Sequence, residues 1–225
     1  MPTLLKPISA DLRYHGNFTD TAFELLAYPV PLYRSLLRHL AVHGLTTAQL
    51  KYEGASVADT AVTCSLLAYS AWINVRLTNL EVQFLRLRDL DLKRASDILL
   101  GAHAAFQEVK GNLEIKEHVV FFSSITELGA LDYPSAIRRY VLFPPELSAA
   151  SGAVGFYLPA DESTGQRGEV ILDAVGSNRS QLALRVNMTF DSGKVSAVDL
   201  PRRIQEFIAS RLGILGLALE GVGEA

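Results

Sequence analysis

The chain of 225 residues has one cysteine, no long hydrophobic run and no excess of charge of one sign. A single cysteine excludes an internal disulfide. No window approaches the roughly 18 consecutive apolar residues that a membrane-spanning helix needs, so no membrane span is predicted. With 21 basic and 24 acidic residues the net charge is −3, and nucleic acid is not an expected partner because binding to phosphate backbones needs a basic surface.

The sequence also lacks the common catalytic and cofactor motifs. No glycine-rich phosphate loop, dinucleotide fingerprint or nucleophile elbow is present. Gly193-Lys194 fits a hairpin turn, and Gly165-Gln166-Arg167-Gly168 fits a flexible connection between two strands. No catalytic residue and no cofactor is therefore predicted, and the sequence leaves enzymatic activity open while favouring a protein that is not an enzyme.

The histidines and the cysteine have ordinary structural interpretations. His39 and His43 stand four apart, but no glutamate follows His39 as a zinc-protease helix requires, so no metal site is predicted. His103 falls on the apolar stripe of a helix and is expected to be a core or groove-lining histidine satisfied by one hydrogen bond. Cys64 lies in an apolar run and is expected to be a buried, inert thiol.

The composition is that of a globular protein, with 49% hydrophobic and 20% charged residues. The first residues, Met1–Lys6, lack the charged and apolar regions of a signal peptide. A thiol-poor chain without such a region is predicted to be cytoplasmic.

Hydrophobic periodicity predicts alternating strands and helices in the first half of the chain. Predicted elements are strands at Ile8–His15, Ala48–Glu53, Val62–Tyr69 and Ala71–Arg88, a helix after Pro29 that stops near Gly44, and a long helix capped by Asp91. The last of these strands changes its apolar phase near Asn79, which is typical of a β-bulge or a sharp bend.

The second half follows the same order of elements. Predicted are strands at Leu113–Ile125, Ala153–Leu158, Val170–Val175 and Gln181–Asp191, a short helix opened by Tyr133-Pro134 and ended by Pro144-Pro145, and a final helix capped by Asp199. In Gln181–Asp191 the alternation is the cleanest of the chain, with Leu182, Leu184, Val186, Met188 and Phe190 on one face.

Two short matches between the halves indicate an internal duplication. Tyr28-Pro29-x-x-Leu32-x-Arg34 parallels Tyr133-Pro134-x-x-Ile137-x-Arg139 at an offset of 105 residues, and Asp91-Leu92-x-Arg94 parallels Asp199-Leu200-x-Arg202 at an offset of 108. We therefore predict an α+β fold of two tandem similar units, residues 1–110 and 111–225. Each unit has an antiparallel sheet, in the order strand, short helix and three strands, followed by a long helix.

One strand is apolar on both faces. Val119, Val120, Phe121 and Phe122 follow each other without a polar residue, whereas a sheet in a small α+β unit usually has helices over one face only. The second face must meet the sister unit, a partner subunit or an apolar ligand. These four residues are the candidate apolar interaction surface.

The order of strand, short helical crossing, three antiparallel strands and long helix resembles the unit of SecB-type export chaperones, here doubled. That resemblance implies binding of extended apolar polypeptide along hydrophobic grooves and carries over no binding residue. The first hypothesis is a non-enzymatic protein-binding module, an adaptor or chaperone-like protein, whose partner is another protein or a second copy in a homodimer. The alternatives are a binder of a small apolar ligand, or an enzyme, with a cavity between curved sheet and helix, and a structural subunit of a larger assembly.

Overall fold

One large antiparallel sheet with five α-helices makes up an α+β fold. The computed structural model describes residues 2–87, 91–129, 131–140, 152–161 and 165–222. Ten strands and the five helices lie in these ranges, together with three short 3-10 turns.

The order of the elements matches the predicted one except for a short helix at Phe23–Ala27, a short strand at Leu217–Leu219 and the division of the predicted strand Ala71–Arg88 into two. In residues 2–110 they are β1 (Thr3–Phe18), α1 (Phe23–Ala27), α2 (Val30–Leu40), β2 (Leu50–Glu53), β3 (Ala61–Leu66), β4 (Ala71–Arg76), β5 (Asn79–Phe84) and α3 (Leu92–Val109). In residues 111–222 they are β6 (Ile115–Glu127), α4 (Tyr133–Ile137), β7 (Val154–Asp161), β8 (Gln166–Val175), β9 (Asn178–Asp191), α5 (Leu200–Ile214) and β10 (Leu217–Leu219).

The strands lie in the order β2-β3-β4-β5-β1-β6-β9-β8-β7. In each half the first strand therefore pairs with the strand that precedes the long helix, β1 with β5 and β6 with β9. The two halves meet where β1 and β6 pair along almost their whole length, from Lys6 opposite Glu127 to Phe18 opposite Ile115. The short strand β10 adds a parallel pairing to the start of β1.

The helices cover one face of this sheet, and the apolar side chains between them form a single core. Phe106 of α3 stacks on Phe18 of β1 with ring centroids 4.9 Å apart, and Phe207 of α5 packs edge-on against Phe190 of β9. Side chains alternate across a strand, so the neighbours of these buried residues point the opposite way.

We call the face of the sheet opposite the helices the open face. On its two central strands it consists of Ser9, Asp11, Arg13, His15, Asn17, Glu117, Val119, Phe121, Ser123 and Ile125, all exposed or half-buried.

The predicted N-caps differ in outcome. The Asp91 carboxylate accepts a hydrogen bond of 3.0 Å from the backbone N–H of Arg94, as an N-cap should. Asp199 holds the N-cap position of α5, but its side chain makes no capping bond and instead contacts Ser196 and Arg202. The prediction for Asp199 is wrong in this respect: a nearby hydroxyl and guanidinium compete for the carboxylate.

The single strand predicted for Ala71–Arg88 is two strands, β4 and β5, that form a hairpin with Val75 opposite Leu80. The phase change near Asn79 therefore marks a turn at Leu77 and Thr78, which lack the glycine or asparagine typical of such turns.

Ile8 has the same even spacing as the buried residues Ala10, Leu12 and Tyr14 of β1, yet it is exposed. A bulge between Pro7 and Ser9 shifts the register there and explains the difference.

Two further predictions concern chain segments near the second sheet edge. Gly168 belongs to β8 rather than to a flexible connection, since residues from Gln166 onward are in the strand. The predicted end of the short second-half helix at Pro144-Pro145 lies outside the described residues.

Candidate functional site

The structure divides the predicted surface Val119–Phe122 between the two faces of β6. Val120 and Phe122 are in the core, with Phe122 only 1% exposed. Val119 is half-buried on the open face, where Phe121 is 41% exposed. Of these four residues, only Val119 and Phe121 can therefore meet a partner without a change of structure.

The open face around Phe121 is set by the register of three neighbouring strands. Phe121 lies opposite Arg13 of β1 and Asn187 of β9. The ring of His15 meets the ring of Phe121 edge-on, with centroids 5.7 Å apart. Because His15 pairs directly with Val119, these side chains form one continuous patch at the centre of the sheet.

Further along β6 the polar Ser123 follows Phe121 on the open face, and a second apolar residue, Ile125, comes after it. Ile125 is 36% exposed and pairs with Ala183 of β9, and Ile171 of β8 lies diagonally beyond it. Sequence reasoning missed this extension, although Val119, Phe121 and Ile125 share one phase of the strand and could have been grouped on that ground.

Charged side chains surround the apolar centre of the open face in opposite-charge pairs. On one side Glu81 is almost buried and lies 3.8 Å from Arg13, 3.8 Å from His15 and 3.4 Å from Arg76. Partial burial lowers the pKa of His15, and the Glu81 carboxylate opposes that shift. On the other side Arg185 pairs with Asp173 at 2.9 Å. The charged groups beside the apolar centre are therefore held in ion pairs within the sheet.

A groove of about 710 Å³ opens on the other side of the molecule, between α1 and the end of α3. Its walls include the exposed rings of Phe23 and Tyr28 and the side chains of Asp20, Glu24 and Lys110. Because this groove is open to solvent rather than enclosed, it suits an extended chain better than a compact ligand.

A buried polar cluster lies between α3 and the sheet. The Tyr14 hydroxyl is 2.6 Å from Nε2 of His103 and 2.9 Å from Nδ1 of His118. All three side chains are buried, and a Cβ at Gly16 would lie only 2.3 Å from the Tyr14 oxygen, so glycine leaves room for the phenol.

Burial dominates the ionisation of this cluster. It lowers the pKa of His103 to about 3, with a smaller contribution from His118, and it lowers the pKa of His118 as well. Burial also raises the pKa of Tyr14 well above the usual value for a phenol. The three groups are therefore neutral at pH 7.

The expectation that His103 is a core histidine with one hydrogen bond is confirmed. Its partners were missed because Tyr14 and His118 are 89 and 15 residues away along the chain. Tyr14 and His118 each lie in register with the apolar residues of their strand, and this position was the only indication in the sequence that the two side chains are buried.

The remaining histidines and the cysteine have structural contacts. Within the described ranges no three His, Cys, Asp or Glu side chains gather as metal ligands would. His39 Nε2 instead lies 3.1 Å from the Glu108 carboxylate. The Ser35 hydroxyl donates a hydrogen bond to the same carboxylate, and this bond is the largest contribution that lowers the pKa of Glu108. Cys64 is buried as expected, and burial raises the pKa of its thiol to about 12.

No helix in the described part of the chain combines the length and the apolar character that crossing a bilayer requires. No protein-family model matches the chain, and no curated protein matches it in sequence.

Proposed function

We propose that this chain is a non-enzymatic protein-binding module that binds extended apolar polypeptide on the open face of its sheet. One observation carries the proposal: helices cover a single face, and the centre of the other face exposes Phe121 and Ile125. Large apolar side chains at the middle of an uncovered sheet are typical of interaction sites.

An extended polypeptide fits this surface better than a compact partner. The apolar residues Val119, Phe121 and Ile125 lie in a line along β6 that Ser123 interrupts once, and opposite-charge pairs border that line. A chain laid along it would bury alternate side chains against the line. The aromatic groove at Phe23 and Tyr28 offers a second place for such a chain.

We infer as part of this proposal that the two halves are diverged copies of a SecB-like unit. The pairing supports the inference, because in each half the strand before the long helix pairs with the first strand, and the halves then join through β1 and β6. Among the described residues the first half has four strands between its helices and the second half has three. A common origin for the units 1–110 and 111–225 would make the open face a joint product of both copies.

Binding is tested with a permanently unfolded, reduced and alkylated polypeptide carrying a fluorescent label. Phe121 exposes roughly 80 Å² if its side chain offers about 200 Å², and covering that area contributes about 2 kcal/mol. Phe121→Ala is therefore expected to weaken binding by at least about tenfold. Fluorescence anisotropy measures the dissociation constant.

Tyr52→Ala is the matched control, since Tyr52 is an aromatic residue of β2 with 53% exposure at the far edge of the sheet. It is expected to bind as the unaltered protein does. Equal affinities for all three proteins, or no binding by the unaltered protein, would refute the proposal. A second copy is the alternative occupant, and light scattering would then show a dimer that Phe121→Ala dissociates.

A further inference from the structure

We propose that Tyr14, His103 and His118 form a proton-sensitive latch that holds α3 on the seam between β1 and β6 and releases it in mildly acidic solution. The inference is independent of polypeptide binding, because it concerns the packing of a helix on the sheet.

The position of the cluster makes it a link between three elements. Tyr14 comes from β1, His118 from β6 and His103 from α3, and the Tyr14 oxygen bridges the two imidazoles. Strands β1 and β6 are where the two half-sheets join. The cluster is therefore the polar contact that fastens the long helix to that joint.

The hydrogen-bond chain through Tyr14 works only while at least one of the two rings is neutral and can accept the phenol proton. A phenol has one proton, so it donates to one imidazole and accepts from the other. If both rings were cationic, each would present an N–H and the phenol proton would lose its acceptor. The ring centroids of His103 and His118 are 5.7 Å apart, so two charges would also repel each other.

His103 has a second reason to stay neutral. Its Nδ1 is buried and has no hydrogen-bond partner among the described residues. A neutral imidazole can leave that nitrogen without a proton, whereas an imidazolium would place an unsatisfied N–H donor in the core, which is costly.

Among the residues that the structure describes, no carboxylate contributes to the pKa of either histidine. Burial and His118 both lower the pKa of His103. Burial is the largest contribution to the pKa of His118 and lowers it, and a backbone hydrogen bond with Val195, just before α5, opposes that shift. Its neighbours in the sheet, Gly16 of β1 and Phe190 of β9, carry no ionisable group. Tyr14 is the remaining titratable neighbour, and it is neutral.

The direction of the pH effect follows. A histidine whose pKa is lowered in the closed state binds fewer protons there than in the open state, so closing is favoured above pH 6.5 and weakened as the pH falls. With a pKa of about 3 when closed and 6.5 when open, His103 alone raises the opening equilibrium roughly 25-fold between pH 7 and pH 5.

Hydrogen exchange read by mass spectrometry tests the latch in the full chain. After correction for intrinsic exchange rates, protection of α3 is expected to fall roughly 25-fold or more between pH 7 and pH 5, while protection of α5 changes much less. An equal loss in both helices would indicate global unfolding and overturn the proposal.

A double variant, His103→Gln with His118→Asn, removes both titrating groups. The glutamine amide can replace Nε2 as a donor, and the asparagine oxygen can replace Nδ1 as an acceptor, so the chain through Tyr14 is kept. The pH dependence of α3 protection is expected to shrink to roughly threefold or less. Full retention of the pH dependence would contradict the latch.

His43→Gln is the control, because His43 follows α2 and packs edge-on against Tyr69, away from the cluster. It is expected to leave the pH dependence of α3 unchanged. If the double variant does not fold, proton NMR of the imidazole rings in the unaltered protein decides: native rings that stay neutral to below pH 5 support the latch, and rings that titrate near pH 6.5 overturn it.

Discussion

Phe121 and Phe122 are adjacent in β6 but face opposite sides of the sheet, and they give the sharpest test of the architecture. Phe122 is buried between Leu12 of β1 and Val186 of β9. Phe122→Ala removes a fully buried aromatic ring and leaves a cavity, which typically lowers the free energy of unfolding by about 3–5 kcal/mol. Phe121→Ala removes a ring that is 41% exposed, and solvent can fill the space it leaves. We expect a loss of about 1 kcal/mol there.

Urea unfolding followed by far-ultraviolet circular dichroism measures both losses. With a denaturant slope of about 2–3 kcal/mol per molar, Phe122→Ala is expected to lower the midpoint by roughly 1–2.5 M and Phe121→Ala by about 0.5 M or less. Binding of unfolded polypeptide is expected to respond in the opposite order. Equal shifts of the midpoint for the two variants would show that Phe121 is as well packed as Phe122. The face that carries Phe121 would then not be open, and the proposal of a binding surface there would be refuted.

One thiol reagent and two glycine substitutions test the packing of the sheet. Cys64 is buried with a thiol pKa raised to about 12, so a thiol-specific disulfide reagent is expected to react with it only after unfolding, and rapid reaction of the native protein at pH 8 would contradict its placement in the core. Gly168→Ala would bring a Cβ within 2.2 Å of the Asn187 carbonyl oxygen and is expected to lower the free energy of unfolding by about 2–3 kcal/mol in urea titrations. Gly155→Ala in the neighbouring strand, whose new Cβ would meet nothing closer than 3.9 Å, is expected to change it by less than about 1 kcal/mol.

Most strands and helices could be predicted because their apolar residues repeat with the period of the element. In β9 the five alternate residues from Leu182 to Phe190 are all buried, as predicted. In α3 the stripe through Ile98, Ala102 and Phe106 is buried as well. Burial on one face imposes these periods directly, so they can be seen without knowledge of the partners.

The errors arose where tertiary contacts decide. The turn at Leu77 and Thr78 carries no residue that favours a turn, so the sequence predicts one strand where the structure has β4 and β5. The carboxylate of Asp199 had the right position for a cap, yet Ser196 and Arg202 hold it elsewhere. Local sequence indicates which bonds a side chain can make but does not indicate which competitor is closest.

The candidate site could be predicted where it depends on one strand and not where it depends on the pairing of strands. The apolar run at Val119–Phe122 identified β6 as a strand with two apolar faces, and the structure assigns Val119 and Phe121 to one face and Val120 and Phe122 to the other. The link from Tyr14 to His118 joins residues 104 positions apart. No period within a strand can reveal such a link, because it depends on which strands pair and in which register.

The central position of β1 and β6 explains why the molecule's unusual features meet there. The two half-sheets are joined through this one ladder, so β6 has a neighbour on each side and the helix layer beneath it. A strand in that position can be apolar on its inner face for the core and apolar on its outer face for a partner, whereas an edge strand with the same sequence would invite aggregation. The same ladder brings Tyr14 opposite Val120 and His15 opposite Val119. The buried cluster and the open patch are therefore held by adjacent residues of the same two strands, on opposite faces of the joint.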